Sequence, residues 1–193
     1  MGIHRDFSPN SFYHIISRGN NEQLIFLHKR DYTRYLSCLE KYSRKFLIKI
    51  SAFCLMSNHT HLLLKEGADP FISEFMHDFN TAYTMYFNLK HSRSGHLFEG
   101  PFKHILIETD EYLTHLSRYI HLNPTSAGLA RKPEDYPWSS YRHYLGLEDL
   151  DFIDDEPILS YFPRKNPRKG YQEFVESRID YQRELALQKL FLE

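Results

Sequence analysis

Cysteine is scarce: Cys38 and Cys54 are the two thiols in 193 residues. Two isolated cysteines make neither a disulfide framework nor zinc-knuckle spacing, and each is expected as a small buried apolar residue. Long apolar runs are missing as well, so nothing reaches the roughly 20 residues needed to span a bilayer. The N-terminus, Met-Gly-Ile-His-Arg-Asp, does not read as a signal peptide. A cytoplasmic location with reduced thiols is the expectation. Net charge is nearly absent too: 24 Lys and Arg face 25 Asp and Glu, a formal charge of −1. Bulk electrostatics therefore give no reason to assign a nucleic-acid partner. Internal repeats and low-complexity segments do not occur.

Aromatic side chains are plentiful, with 14 Tyr and 15 Phe beside 1 Trp. Charge is uneven along the chain. Residues 1–50 carry nine Lys and Arg against four Asp and Glu, and a second basic cluster is formed by Arg164, Lys165, Arg168 and Lys169. Such patches can follow a phosphate backbone, and a solvated helix surface accounts equally well for the N-terminal excess.

Periodicity yields an ordered set of elements. Phe12 to Ser17 reads as a strand ending in the turn-like Arg18-Gly19-Asn20-Asn21. Residues 30–46 read as a helix, with Tyr32, Tyr35, Leu36, Leu39 and Tyr42 at helical spacing. Ile48 to Leu55 and His59 to Lys65 read as a hairpin of two strands. Pro70 opens a helix of about twenty residues, whose apolar positions include Phe75, Phe79 and Tyr83. Lys103 to Glu108 is a fourth strand. A final helix, capped by Thr109 or Asp110, is expected to run to about Leu122 and to halt at Asn123-Pro124.

The order strand, helix, strand, strand, helix, strand predicts an α+β, ferredoxin-like split β-α-β fold with an antiparallel sheet. This domain is expected over residues 1–147. Residues 148–157, rich in carboxylates, read as an acidic linker. Residues 158–193 read as a C-terminal helical tail, with a helix from about Pro167 to Leu190.

Chemistry concentrates in Asn58-His59-Thr60-His61. Side chains alternate along a strand, so His59 and His61 share one face. Tyr119 and Asn123, at i and i+4, share one face of the last helix. If that helix packs on that sheet face, two imidazoles, an amide and a phenol converge. His59, His61 and Asn123 would suit Mg²⁺ or Mn²⁺, and suit structural zinc poorly because no thiolate completes a tetrahedron. The dull alternative is two rim histidines and a helical tyrosine in the core. As a nucleophile Tyr119 would need help, since a phenol of pKa ~10 is mostly protonated at neutral pH. A tyrosine nucleophile exchanges one phosphodiester for another, which predicts cutting and rejoining rather than degradation.

Several longer stretches carry a resemblance. They are Tyr13-His14-Ile15-Ile16-Ser17-Arg18-Gly19-Asn20-Asn21, Ala52 to His59, Gly95 to Gly100, Arg118 to Pro124, and Pro133 to Tyr141. With His59-Thr60-His61 and Tyr119, they resemble the single-tyrosine HUH transposases, and most of all their branch of REP-associated tyrosine transposases. The resemblance spans roughly residues 10–146. It implies a Mg²⁺- or Mn²⁺-dependent single-stranded DNA endonuclease and strand transferase. Tyr119 would form a 5′-phosphotyrosine, with His59, His61 and Asn123 holding the metal. The implied partner is single-stranded or hairpin DNA from palindromic repeats. Arg18, Asn20, Asn21 and Lys103 are candidate DNA contacts, though the first three would equally make an ordinary turn.

Two positions depart from the family pattern. Thr60 replaces a bulky hydrophobic residue between the histidines, and Pro101 stands where relatives commonly carry arginine. Two rival functions fit the same residues: a catalytically silent hairpin-binding protein, and a metal-dependent phosphodiester hydrolase. A monomer and a homodimer are both compatible with the sequence.

Overall fold

The computed structural model describes residues 7–181. Four strands form one sheet: β1 (Phe12–Arg18), β2 (Lys49–Leu55), β3 (His59–Lys65) and β4 (Lys103–Ile107). Their spatial order is β2-β3-β1-β4 and every pairing is antiparallel. Helices α1 (Lys29–Phe46) and α2 (Ile72–Lys90) supply the two crossovers, which gives the expected ferredoxin-like arrangement. After β4 come α3 (Asp110–Ser126), α4 (Tyr141–Tyr144), α5 (Glu156–Leu159) and α6 (Pro167–Glu176). No helix among the described residues is long and apolar enough to cross a membrane.

Strand alternation sorts the helices onto two faces. Thr60 points toward α1, where its Oγ1 lies 3.1 Å from the Tyr35 hydroxyl. Its neighbour His61 points the other way, against a ring of α3. So α1 and α2 cover one face and α3 lies on the other. The core between sheet and α1/α2 is aromatic. Tyr35 meets Phe79 and Tyr83 edge-on at 4.7 and 5.0 Å, and all three rings are buried. Cys38 and Cys54 are free and buried, as expected.

The two sheet edges differ. Ser139 bridges Cys54 and Ile153 bridges Ile50, so β2 is covered. The acidic residues 148–157 run beside it. Asp154 N–H donates to the Ile50 carbonyl at 2.8 Å, while Asp151 pairs with Arg44, Asp154 with Lys49 and Asp155 with Arg168. The bases that compensate this stretch come from elsewhere in the fold. At the other edge, β4 leaves Ile105 and Leu106 exposed.

Two helix ends differ from expectation. Thr109 is the N-cap of α3, accepting from Tyr112 N–H at 3.1 Å, but Pro124 does not stop the helix. A proline there removes one donor from the helical ladder. The helix nevertheless continues to Ser126, and the Thr125 and Ser126 hydroxyls donate to the Leu122 carbonyl at 2.8 and 3.0 Å. The second difference is a turn at Ser177 and Arg178, which interrupts the expected helix after Glu176 before helical backbone resumes over residues 179–181. The remainder of that expected helix, beyond residue 181, lies outside the described residues.

Candidate active site

The site forms where α3 crosses the face of β3 that α1 and α2 leave open. His59 and His61 stand on that face with ring centroids 5.0 Å apart and planes nearly perpendicular. The Tyr119 ring meets His61 edge-on, with centroids 5.8 Å apart. Tyr119 remains 43% exposed, so it borders open solvent while touching the imidazole. Burial nevertheless pushes its phenol above the ordinary value. Asn123 lies one turn further along α3, half-buried, and its Nδ2 donates to the Tyr119 carbonyl at 3.2 Å.

Three buried contacts fix where α3 sits. His121 is fully buried, with Nδ1 2.6 Å from the Tyr171 hydroxyl of α6 and Nε2 2.8 Å from Ser140 Oγ. Tyr171 donates to Ser117 Oγ at 3.0 Å. Ser140 Oγ also accepts from Phe53 N–H of β2 at 2.9 Å. The helix carrying Tyr119 is thus tied to both α6 and the sheet. Burial lowers the His121 pKa to about 3, so the ring is neutral in this network.

Sequence reading missed the partners of the paired histidines. The Nδ1 of His59 lies 2.8 Å from Asn58 Oδ1, and Asn58 Nδ2 faces the Glu22 carbonyl at 3.5 Å. A carbonyl oxygen accepts and cannot donate, so His59 carries its proton on Nδ1 and keeps Nε2 as a lone pair. His61 Nδ1 lies 2.9 Å from Nε2 of His14 on β1. His14 shares the site face because Ile16 pairs with His61 and His14 sits two residues away. Period-two spacing from Ile16 was the available signal, but the register that makes it useful is a tertiary fact.

Two neutral imidazoles and an amide oxygen are groups that can ligate a divalent cation. Burial, then the nearby Arg18 guanidinium, lowers the His59 pKa to about 4. Burial is also the main reason His61 falls well below the ordinary value. Both rings are therefore neutral at physiological pH, as metal ligands must be. No group of three or more His, Cys, Asp and Glu is arranged for a metal among the described residues. A third protein ligand would have to be an amide or hydroxyl oxygen, and Asn123 can offer Oδ1 while Nδ2 serves the helix.

The remaining expected residues lie around one end of the sheet. Arg18 pairs in register with His59, which puts its guanidinium beside the imidazoles. Lys103 pairs with Ile16 from the β4 side. Between Arg18 and Lys103 lies a cleft of about 120 Å³, lined also by Ser17, Phe98, Glu99, Pro101 and Phe102. Asn20 and Asn21 form a single 3₁₀ turn with Glu22. Gly19 makes that turn possible: a Cβ there would stand 2.1 Å from the Gln23 carbonyl oxygen. Gly19 N–H in turn donates to the Asn58 carbonyl at 2.7 Å, joining the turn to the histidine strand.

Against this geometry stand the comparisons with known proteins. A family model described as Transposase IS200 like matches residues 8–123. The chain belongs to this family. The matched stretch includes His59, His61, Tyr119 and Asn123, and α4 to α6 lie beyond it. Membership assigns a DNA transposase role. The chain is also similar to the REP-associated tyrosine transposase of Escherichia coli (strain K12), 25% identical over 148 residues, covering 75% of this chain and 84% of that one. Among solved structures, a REP-associated tyrosine transposase bound to a REP hairpin matches with a TM-score of 0.64 at 16% identity, covering 80% of this chain and 98% of that one. That last likeness is one of fold, and it agrees with the four-stranded antiparallel sheet described above.

Proposed function

We propose that this IS200-like transposase nicks and rejoins single-stranded DNA through Tyr119, on substrates containing hairpins. The observation that carries the reading is the edge-on meeting of Tyr119 with His61, beside His59, at a solvent-accessible edge of α3. In the step proposed, Tyr119 Oη attacks the scissile phosphorus and forms a 5′-phosphotyrosine bond. The bond from phosphorus to the 3′-oxygen breaks, and that oxygen leaves as a free hydroxyl carrying a proton, which balances the one lost by the phenol. Attack by a 3′-hydroxyl on the phosphotyrosine reverses the chemistry, so strands are exchanged without net loss of phosphodiester bonds.

His59, His61 and Asn123 would hold Mg²⁺ or Mn²⁺. When bound, such an ion neutralises phosphate charge and polarises the phosphorus centre. The chain's own contributions are distinct from that. Arg18 adds fixed positive charge beside the imidazoles, where a phosphate would sit. The cleft between Arg18 and Lys103 offers the half-buried Phe102 as a stacking wall for unpaired bases. The hairpin preference is supported by similarity to a REP-associated transposase whose structure holds a REP hairpin.

The test is incubation of labelled hairpin-bearing single-stranded DNA with the protein and Mn²⁺, followed by denaturing electrophoresis. A label that migrates with the protein, and that disappears in Tyr119→Phe, is the expected result. Unlinked cleavage products that persist in Tyr119→Phe would point to a water-activating hydrolase. Retained DNA binding with no cleavage by the wild type would leave a hairpin-binding protein.

A further inference from the structure

We infer that His14 is a positioning residue for the metal site: it accepts the Nδ1 proton of His61 and so leaves His61 Nε2 free to ligate. This rests on the proposed metal reading of His59 and His61.

The geometry is that of two buried imidazoles, 4% and 5% exposed. Their rings stack with centroids 5.1 Å apart and planes 24° from parallel. At 2.9 Å between His14 Nε2 and His61 Nδ1, one proton lies between the two nitrogens. Two arrangements are possible for a neutral pair. If His61 donates, its Nε2 carries a lone pair. If His14 donates, the proton of His61 sits on Nε2, and the ring offers no ligand to the site.

His59 shows what the site requires. Its Nδ1 faces Asn58 Oδ1, which has no proton to give, and so its Nε2 is bare. Both histidines of the pair are therefore gripped at Nδ1 by a residue outside the His-x-His motif, one from the preceding loop and one from β1. Metal-ligating histidines in general hold their second ring nitrogen against such a partner, which fixes tautomer and ring orientation. An aliphatic side chain would fill the position of His14 without a polar group to satisfy. Its imidazole instead spends a hydrogen bond on His61.

Two measurements test this. In metal-free protein, long-range ¹H–¹⁵N correlation of histidine side chains should show His61 protonated at Nδ1, with no reference to activity. Calorimetric Mn²⁺ titration should show His14→Phe binding about 10- to 100-fold more weakly than wild type. His14→Gln, whose Oε1 can accept the same proton, should recover most of the lost affinity. His61 protonated at Nε2 in the wild type, or His14→Phe binding within about twofold of it, would overturn the assignment. If His14→Phe does not fold, the wild-type spectrum and the Gln variant decide. Wild-type protein that fails to bind Mn²⁺ is a different result: it removes the metal reading itself, and this inference with it.

Discussion

The hydroxyl of Thr60 and the phenol of Tyr35 lie 3.1 Å apart in the buried layer between β3 and α1. Thr60 is the residue between the paired histidines, where the resemblance noted above leads one to expect a bulky hydrophobic side chain. The departure is therefore half of a compensated pair, since Tyr35 brings a polar group into the same core. Removing one partner leaves the other buried and unsatisfied. Thr60→Val is expected to cost about 1–3 kcal/mol in urea unfolding. Adding Tyr35→Phe should return most of that loss. A double variant as unstable as the sum of the two singles would refute the pairing.

Arg18 faces His59 across the β1/β3 register. A guanidinium placed there should contribute to DNA affinity as a phosphate contact rather than a base reader. Arg18→Ala should weaken binding to different hairpin sequences by similar factors. It should also reduce the slope of log K against log salt by about 0.7, the value for one phosphate contact on a single strand. A sequence-selective loss with an unchanged slope would assign Arg18 to a different job. The same substitution removes one cause of the lowered His59 pKa, so that histidine should titrate somewhat higher.

The two halves of this site were not equally legible in the sequence. His59, His61, Tyr119 and Asn123 belong to short motifs whose local periodicity sets their facing, and β3 begins and ends where alternation placed it. His14 is different. It is 47 residues from His61, and its role depends on strand register, which no local pattern encodes. The α3 terminus failed for the opposite reason. Pro124 biases the chain toward a stop, yet it lies within the last turn of a helix that runs on to Ser126. The acidic residues 148–157 show a third limit of local reading. Their composition shows the carboxylates, but the partners Arg44, Lys49 and Arg168 come from distant segments that no local pattern identifies.

Buried neutral histidines make a definite statement about acid stability. His121 is fully buried with a pKa lowered to about 3, against an unfolded value near 6.5. Above about pH 6.5 both states are neutral at this residue and its contribution is fully present. As pH falls toward 3 the unfolded chain takes up a proton that the folded one refuses, so stability is lost over that window. At about 1.4 kcal/mol per unit, the His121 contribution to the decline is on the order of 4–5 kcal/mol. Urea midpoints measured from pH 7 to pH 3.5 should fall less steeply in His121→Gln than in the wild type. Equal slopes would mean that the ring titrates normally in the folded state.

Gly19 offers a test of how the end of β1 is coupled to the histidine strand. A methyl group there would stand 2.1 Å from the Gln23 carbonyl oxygen and 3.0 Å from Ile25 Cγ2, and the first of these neighbours is backbone. The turn of Asn20 to Glu22 must then move, and with it the Gly19 N–H that donates to the Asn58 carbonyl. Gly19→Ala is expected to lose about 1–3 kcal/mol, the usual cost of overpacking, read as a lowered melting temperature. Because Asn58 orients His59 through its own side chain, a second effect should accompany the first. The side-chain ¹⁵N resonances of His59 should shift toward a mixture of tautomers, while those of His121, held by Tyr171 and Ser140, stay in place. A variant with wild-type stability and an unchanged His59 spectrum would show that the turn yields without passing its strain to the site.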